Sequence, residues 1–199
     1  MKDHENSHLM EKVADALRKA AVEIEEFQVK SALGKAEAQD KYEETKKKFN
    51  RFIHESKTKM KSGKEKLEEL HTKLDELRVQ LALGKAESVD TFKEQKRKLL
   101  SLLHQIEVKI KTNEKLRKIY AILLIEIEIF KVELEIIEEK FDEGKAGAKT
   151  AFEKGKKEFD HFIENLKSKD PEEEEGRWEH FQGEISEAFD HFKKAFKKV

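Results

Sequence analysis

Apolar residues in this chain return at alternating steps of four and three, and the pattern is laid down three times. The first run is Val13, Leu17, Ala20, Ile24 and Phe27. The second holds Leu67, Leu70, Leu74 and Leu77, and the third Leu123, Ile127, Phe130, Leu134 and Ile137. Each run leads into a glycine motif, "SALGKAEAQDKYEE" from Ser31, "LALGKAESVDTFKE" from Leu81 and "FDEGKAGAKTAFEK" from Phe141. Aligned on Gly34, Gly84 and Gly144, the three copies match without gaps. Beyond the motif, Tyr42, Phe49 and Ile53 correspond to Phe92, Leu99 and Leu103, then to Phe152, Phe159 and Ile163. A mean step near 3.6 puts all these side chains on one face of a helix, so each copy predicts a helical packing seam. The fold class is therefore all-α.

Turn signals separate the copies. "KSGK" at Lys61–Lys64 offers a C-cap glycine, "KTNEK" at Lys111–Lys115 offers Thr and Asn, and "SKDPEEEE" at Ser168–Glu175 places Asp170 before Pro171. The spacing predicts three long helices, near 9–61, 64–111 and 114–168, and a shorter amphipathic one near 172–198. Short connections make neighbours antiparallel, so residues 1–168 should form an elongated three-helix bundle, with residues 169–199 a C-terminal helix packed on it.

The glycine motif admits two geometries. In the first the helix runs through it, and Gly34, Gly84 and Gly144 with Ala38, Ser88 and Ala148 form a seam of small residues facing inward. Ser31, Leu81 and Phe141 precede that seam and the aromatic residues Tyr42, Phe92 and Phe152 follow it. An eleven-residue step across the motif can be absorbed by locally unwinding the supercoil. Lys35, Lys85 and Lys145 would lie at its edge, charge outward. In the second, the glycines end helices and about seven shorter helices result; Asp40-x-x-Glu43 and Thr150-x-x-Glu153 fit a capping box, with Asp90 at the same place. Strong helix formers after each glycine favour the continuous form, since one internal glycine costs only about 1 kcal/mol.

Composition narrows the function classes. Charged residues make up 43% of the 199, with a single proline, which suits long helices. Thirteen phenylalanines argue against disorder. Acids and bases nearly cancel at a net charge of −1, so no overall field recruits nucleic acid. Without cysteine there is no disulfide, thiolate metal site or thiol nucleophile. The polar start "MKDHENSH" is unlike a signal peptide, and the apolar run "IYAILLI" at Ile119–Ile125 is too short to span a bilayer. A cytoplasmic protein is expected.

Catalytic and ligand-binding patterns are sparse. Glu5/His8, Glu68/His71 and Glu158/His161 have the Glu-x-x-His spacing of di-metal carboxylate bundles, which leaves that as a remote alternative. Glutamate is common enough here for the spacing to arise by chance, and His71 and His161 stand beside the seam. His54 and His104 share a repeat position that Glu164 fills in the third copy, which suits a bundle edge; His4 and His8 lie near the terminus. "FDHF" (Phe159–Phe162 and Phe189–Phe192) and "WEHF" (Trp178–Phe181) supply aromatics at helical spacing, as do Ile185 and Phe196, and read as a packing face. No phosphate loop, zinc motif or nucleophile elbow occurs. The expectation is a non-enzyme with no cofactor, no metal and no evident small-molecule substrate. The basic runs Lys46–Lys48, Lys57–Lys64 and Lys96–Lys98 alternate with acids and read as solvated faces.

One helix asks for a partner. Beside the third seam runs a second stripe, Ile122, Ile125, Ile129, Val132 and Ile136. In the first two copies the ten equivalent positions hold one apolar residue, Val22. If the third helix is straight, the C-terminal helix folds back only over residues near 142–166 and leaves the stripe exposed, as a homo-oligomer or helical-partner interface. The first expectation is thus a structural or interaction protein. The alternative is reversible binding to a lipid surface by amphipathic helices, for which "FKKAFKKV" at Phe192–Val199 has suitable basic flanks.

Overall fold

The structure, a computed structural model, describes residues 2–30, 35–59, 66–83, 86–141, 148–168, 183, 185–190 and 193. Seven helices are delimited among them and no strand: α1 (Lys2–Lys30), α2 (Lys35–Lys59), α3 (Lys66–Leu83), α4 (Val89–Lys111), α5 (Glu114–Ile119), α6 (Ala121–Phe141) and α7 (Ala148–Ser168). Residues 185–190 are helical as well. The all-α class follows from the seams, which are buried nearly throughout. Val13, Leu17, Ala20 and Ile24, then Leu70, Leu74 and Leu77, then Leu123, Ile127, Phe130, Leu134 and Ile137 are all buried; Phe27 is half-buried. The side chains of Leu67 and Phe152, the expected Asp170–Pro171 cap and the "KSGK" turn lie outside the described residues.

The chain divides into two compact units, Ser31–Glu143 and Met1–Lys30 with Gly144–Val199. Both changes of unit fall at a glycine motif. In the second unit α1 packs on α7, and Lys156 of α7 donates to Glu25 of α1 at 2.6 Å. Phe159 meets Phe189 edge to face at 4.8 Å, with Ile163, Ile185 and Ala188 also buried.

In the unit from Ser31 to Glu143, four helices close a ring: α2 packs on α3, α3 on α4, α4 on α6, and α6 on α2. Lys57 pairs with Asp75 and Arg78 donates to Asn50, so α2 and α3 run antiparallel. Lys109 of α4 pairs with Glu69 of α3, and Lys96 of α4 with Glu135 of α6, in the same sense. At one end Tyr42, Phe92 and Phe141 form a chain of rings at 5.1 and 5.0 Å.

The continuous second helix expected over 64–111 does not form; it breaks between Leu83 and Val89. Ser88 is the N-cap of α4: its hydroxyl accepts from the Thr91 amide, and the Thr91 hydroxyl accepts from the Ser88 amide. The inward-facing seam reading therefore fails for Ser88, which is exposed. The cap lies two residues before Asp90, and Asp40 and Thr150 sit inside α2 and α7. The residue at this repeat position differs between the copies. The first copy has Ala38 where the second has Ser88; Ala38 is buried within α2, while serine can satisfy an orphan helix amide. Breaking here lets α3 fold back on α4, so Leu70, Leu74, Leu77 and Leu81 share a core with Leu99, Leu103, Ile106 and Ile110. Burying each such side chain returns about 1.5–3 kcal/mol, far more than the few residues of helix cost. Gly34, Gly84 and Gly144 lie outside the described residues, as do the side chains of Lys35, Lys85, Lys145 and Ala148.

Replacing Ser88 by alanine should cost about 0.5–2 kcal/mol of unfolding free energy, read from the urea midpoint at unchanged slope. A change below about 0.3 kcal/mol would mean that the cap does not hold the break.

The Thr112–Asn113 turn forms as the sequence predicts. Asn113 caps α5, its side chain accepting from the Leu116 amide at 3.2 Å. Between α5 and α6 the backbone bends at Tyr120, while the hydrogen bonds Tyr120 to Leu116 and Leu124 to Tyr120 carry the helical path through.

Candidate functional site

Helix α6 differs most from the corresponding segments of the other two copies, because apolar residues run along it in two stripes rather than one. Beside the seam, Ile125, Ile129, Val132 and Ile136 of the second stripe are all buried, at 0–2% exposure; Ile122 is half-buried. The exposed stripe expected from a straight third helix is thus not present in the folded chain. The physical reason lies in the pattern: a helix with two apolar stripes is covered best between two neighbours, and α6 packs on both α2 and α4.

Polar groups on α6 are buried with it. Glu128, Glu133 and Glu135 are each at most 9% exposed. Three lysines meet them. Lys131 of α6 donates to Glu107 of α4 at 2.6 Å and to Glu128 at 3.2 Å. Lys96 of α4 reaches Glu135 at 2.7 Å and also Glu138. Lys48 of α2 lies 3.4 Å from Glu133. Cationic and anionic side chains thereby cross both seams that hold α6, one to α4 and one to α2. An unpaired carboxylate in such a place would cost several kcal/mol, so each pairing constrains which residues of two helices stand opposite one another.

The electrostatics follow from burial. The Glu107 carboxyl is pushed up by loss of water, with Lys131 opposing and the neighbouring Glu128 reinforcing. Glu126 is likewise pushed up by burial, against the pull of Lys48. Glu133 rises to about 7, first through burial; Lys48 opposes, and Glu126 and Glu44 add to the rise. Tyr42, buried among the rings, has its hydroxyl pushed well above the usual range by burial and then by Glu43.

The basic runs were expected to be solvated faces, yet Lys46 is only 2% exposed and Lys96 7%. Lys46 pairs with Glu43 at 2.7 Å and stands over the Tyr42 ring, 4.6 Å from its centroid. The signal for this was in the repeats. Lys46, Lys96 and Lys156 occupy the same position in all three copies, and each makes an ion pair. A lysine stem four residues beyond a seam aromatic can lie along the apolar face and deliver its charge to a neighbour.

Four histidine side chains are described. His54, His104 and His161 are exposed; His71 is half-buried, its Nε2 3.3 Å from the Tyr120 hydroxyl. Burial and then Lys57 pull the His71 ring below its usual value, against Asp75. The side chains of His4, His8, His180 and His191 lie outside the described residues. Among the described residues no three His, Asp or Glu side chains stand where they could hold a metal ion, and no helix is long and apolar enough to cross a membrane. Comparison with protein-family models, curated proteins and solved structures finds no match to this chain.

Proposed function

We propose that this chain is a non-enzymatic helical structural and interaction protein, cytoplasmic, that associates through the isoleucine stripe of α6 when that stripe is uncovered. The observation that carries the reading is the second apolar stripe of α6. A ring helix needs one broad apolar face to meet its neighbours, and α6 has that face plus Ile125, Ile129, Val132 and Ile136, all buried. Those side chains would be an adhesive surface once uncovered, suited to a second copy of the chain or to another apolar helix. The polar chemistry around α6 supports the same reading, because the enclosed pairs of Lys96 with Glu135 and of Lys131 with Glu107 hold α4 and α6 in register.

Lipid binding is the second reading, favoured by the same helix: opened amphipathic helices can lay apolar faces on a bilayer surface. Two measurements on the full chain separate them. Sedimentation velocity over a wide concentration range should show reversible self-association, weakened by Ile122→Lys, since Ile122 is the half-buried member of the stripe and tolerates a charge best. Monomers at every concentration for both proteins overturn self-assembly. Flotation with vesicles of neutral and of anionic phospholipid that carries the protein upward favours the lipid reading instead.

A further inference from the structure

We infer that Glu133 is a proton-operated latch: with its carboxyl protonated α6 is held tightly against α2, and with the carboxylate ionised that hold is weakened. The inference starts from geometry. Glu133 points from α6 toward α2, its side chain 4% exposed, and the cation that meets it, Lys48, is 45% exposed and 3.4 Å away. A buried carboxylate faced by a lysine that is itself half in water is poorly compensated, because the lysine's field is screened. The two lysines that pair across α4 and α6 are far better enclosed, Lys96 of α4 at 8% and Lys131 of α6 at 14%.

The charged groups that act on Glu133 come from α2 and from α6 itself. From α2 there are Lys48 and Glu44, and on α6 itself Glu126. On the α4 side the charges are already engaged, Lys96 with Glu135 and Glu138 and Glu107 with Lys131. Two of the three groups acting on Glu133 are therefore acids, and they oppose its ionisation together with burial. The folded carboxyl holds its proton up to about 7, against 4.5 for an ordinary one. Between those values the folded chain keeps a proton that the unfolded chain has released, so lowering the pH favours the closed form. Above the folded value both states are ionised and the full penalty of the buried charge is felt. The closed bundle is thus tighter near pH 5 than near pH 8.

Glu107 and Glu126, also raised, act in the same direction. His71, held below its usual value, acts in the opposite one. The experiment is therefore a difference. Unfolding of the full chain and of Glu133→Gln is measured from pH 5 to pH 8, with hydrogen exchange of the α6 amides, corrected for intrinsic rate, as the local readout. Glutamine mimics the protonated carboxyl at every pH. The ratio of the two folding constants should change by roughly 50- to 100-fold across that range, with the variant gaining on the wild type as pH rises. Lys48→Met should steepen the wild-type dependence, because it removes a cation that favours the ionised form. A ratio independent of pH, or a wild type that gains on the variant as pH rises, overturns the latch; so does a Lys48→Met profile flatter than the wild type. The consequence for uncovering the stripe rests on the proposed association. The linkage itself is measured on the chain alone and stands or falls without a partner.

Discussion

Phe130→Ala should lower the unfolding free energy by about 3–5 kcal/mol, the largest loss expected from any single truncation in the ring of α2, α3, α4 and α6. Phe130 is 1% exposed and lies flat on Phe49 of α2, with centroids 4.3 Å apart and planes 8° from parallel. Removing it takes away the transfer energy of a buried ring, leaves a cavity, and abolishes an aromatic pair worth about 0.5–1.5 kcal/mol. Whole domains are stable by only about 5–15 kcal/mol, so the variant should be near its unfolding midpoint under mild denaturant. Val22, 56% exposed on α1, is the matched control; Val22→Ala should move stability by no more than about 0.5 kcal/mol. Equilibrium urea unfolding decides the matter. A loss below about 1 kcal/mol for Phe130→Ala would mean that α6 is not interior.

The second large effect is electrostatic. Lys131 is the shared cation of Glu107 and Glu128, whose side chains are 7% and 3% exposed. Lys131→Met keeps the apolar stem and takes their shared lysine away from two carboxyls in an apolar place. At pH 7 this should cost about 3–5 kcal/mol, because breaking a buried pair strands a charge. Much of the loss should return on lowering the pH to about 5, since Glu107 already favours its protonated form and the variant strengthens that preference. Adding Glu107→Gln to Lys131→Met should recover most of the stability at pH 7. If Lys131→Met costs the same at pH 5 and pH 7, the two carboxyls are reached by water and the seam between α4 and α6 is wetter than the packing indicates.

Both effects depend on α6 being interior, and that was only half legible in the residues. Its two apolar stripes are plain in the spacing of Leu123, Ile127 and Phe130 and of Ile125, Ile129 and Val132. Spacing tells which faces of a helix avoid water, but not what will cover them. The buried lysines were hidden for a similar reason. Lys46 and Lys96 stand in runs of charge that look solvated, and only their common position with Lys156 in the repeats distinguishes them. Composition is blind to a lysine whose stem packs while its charge finds a carboxylate on another helix.

By itself the sequence determined the helical class, the three-fold repeat and the inward-facing residues of the three seams, because a 3.6-residue period is a local property of the chain. It also held the capping residue of the second glycine motif, a serine at position 88 where the first copy has alanine at 38. Only the tertiary structure decided that the serine caps a new helix, that α3 folds back on α4, and that the isoleucine stripe is covered. Those outcomes turn on the area that distant segments bury together. A capping hydrogen bond and a few residues of helix are worth about 1 kcal/mol each, whereas a shared core of leucines and isoleucines is worth many times that.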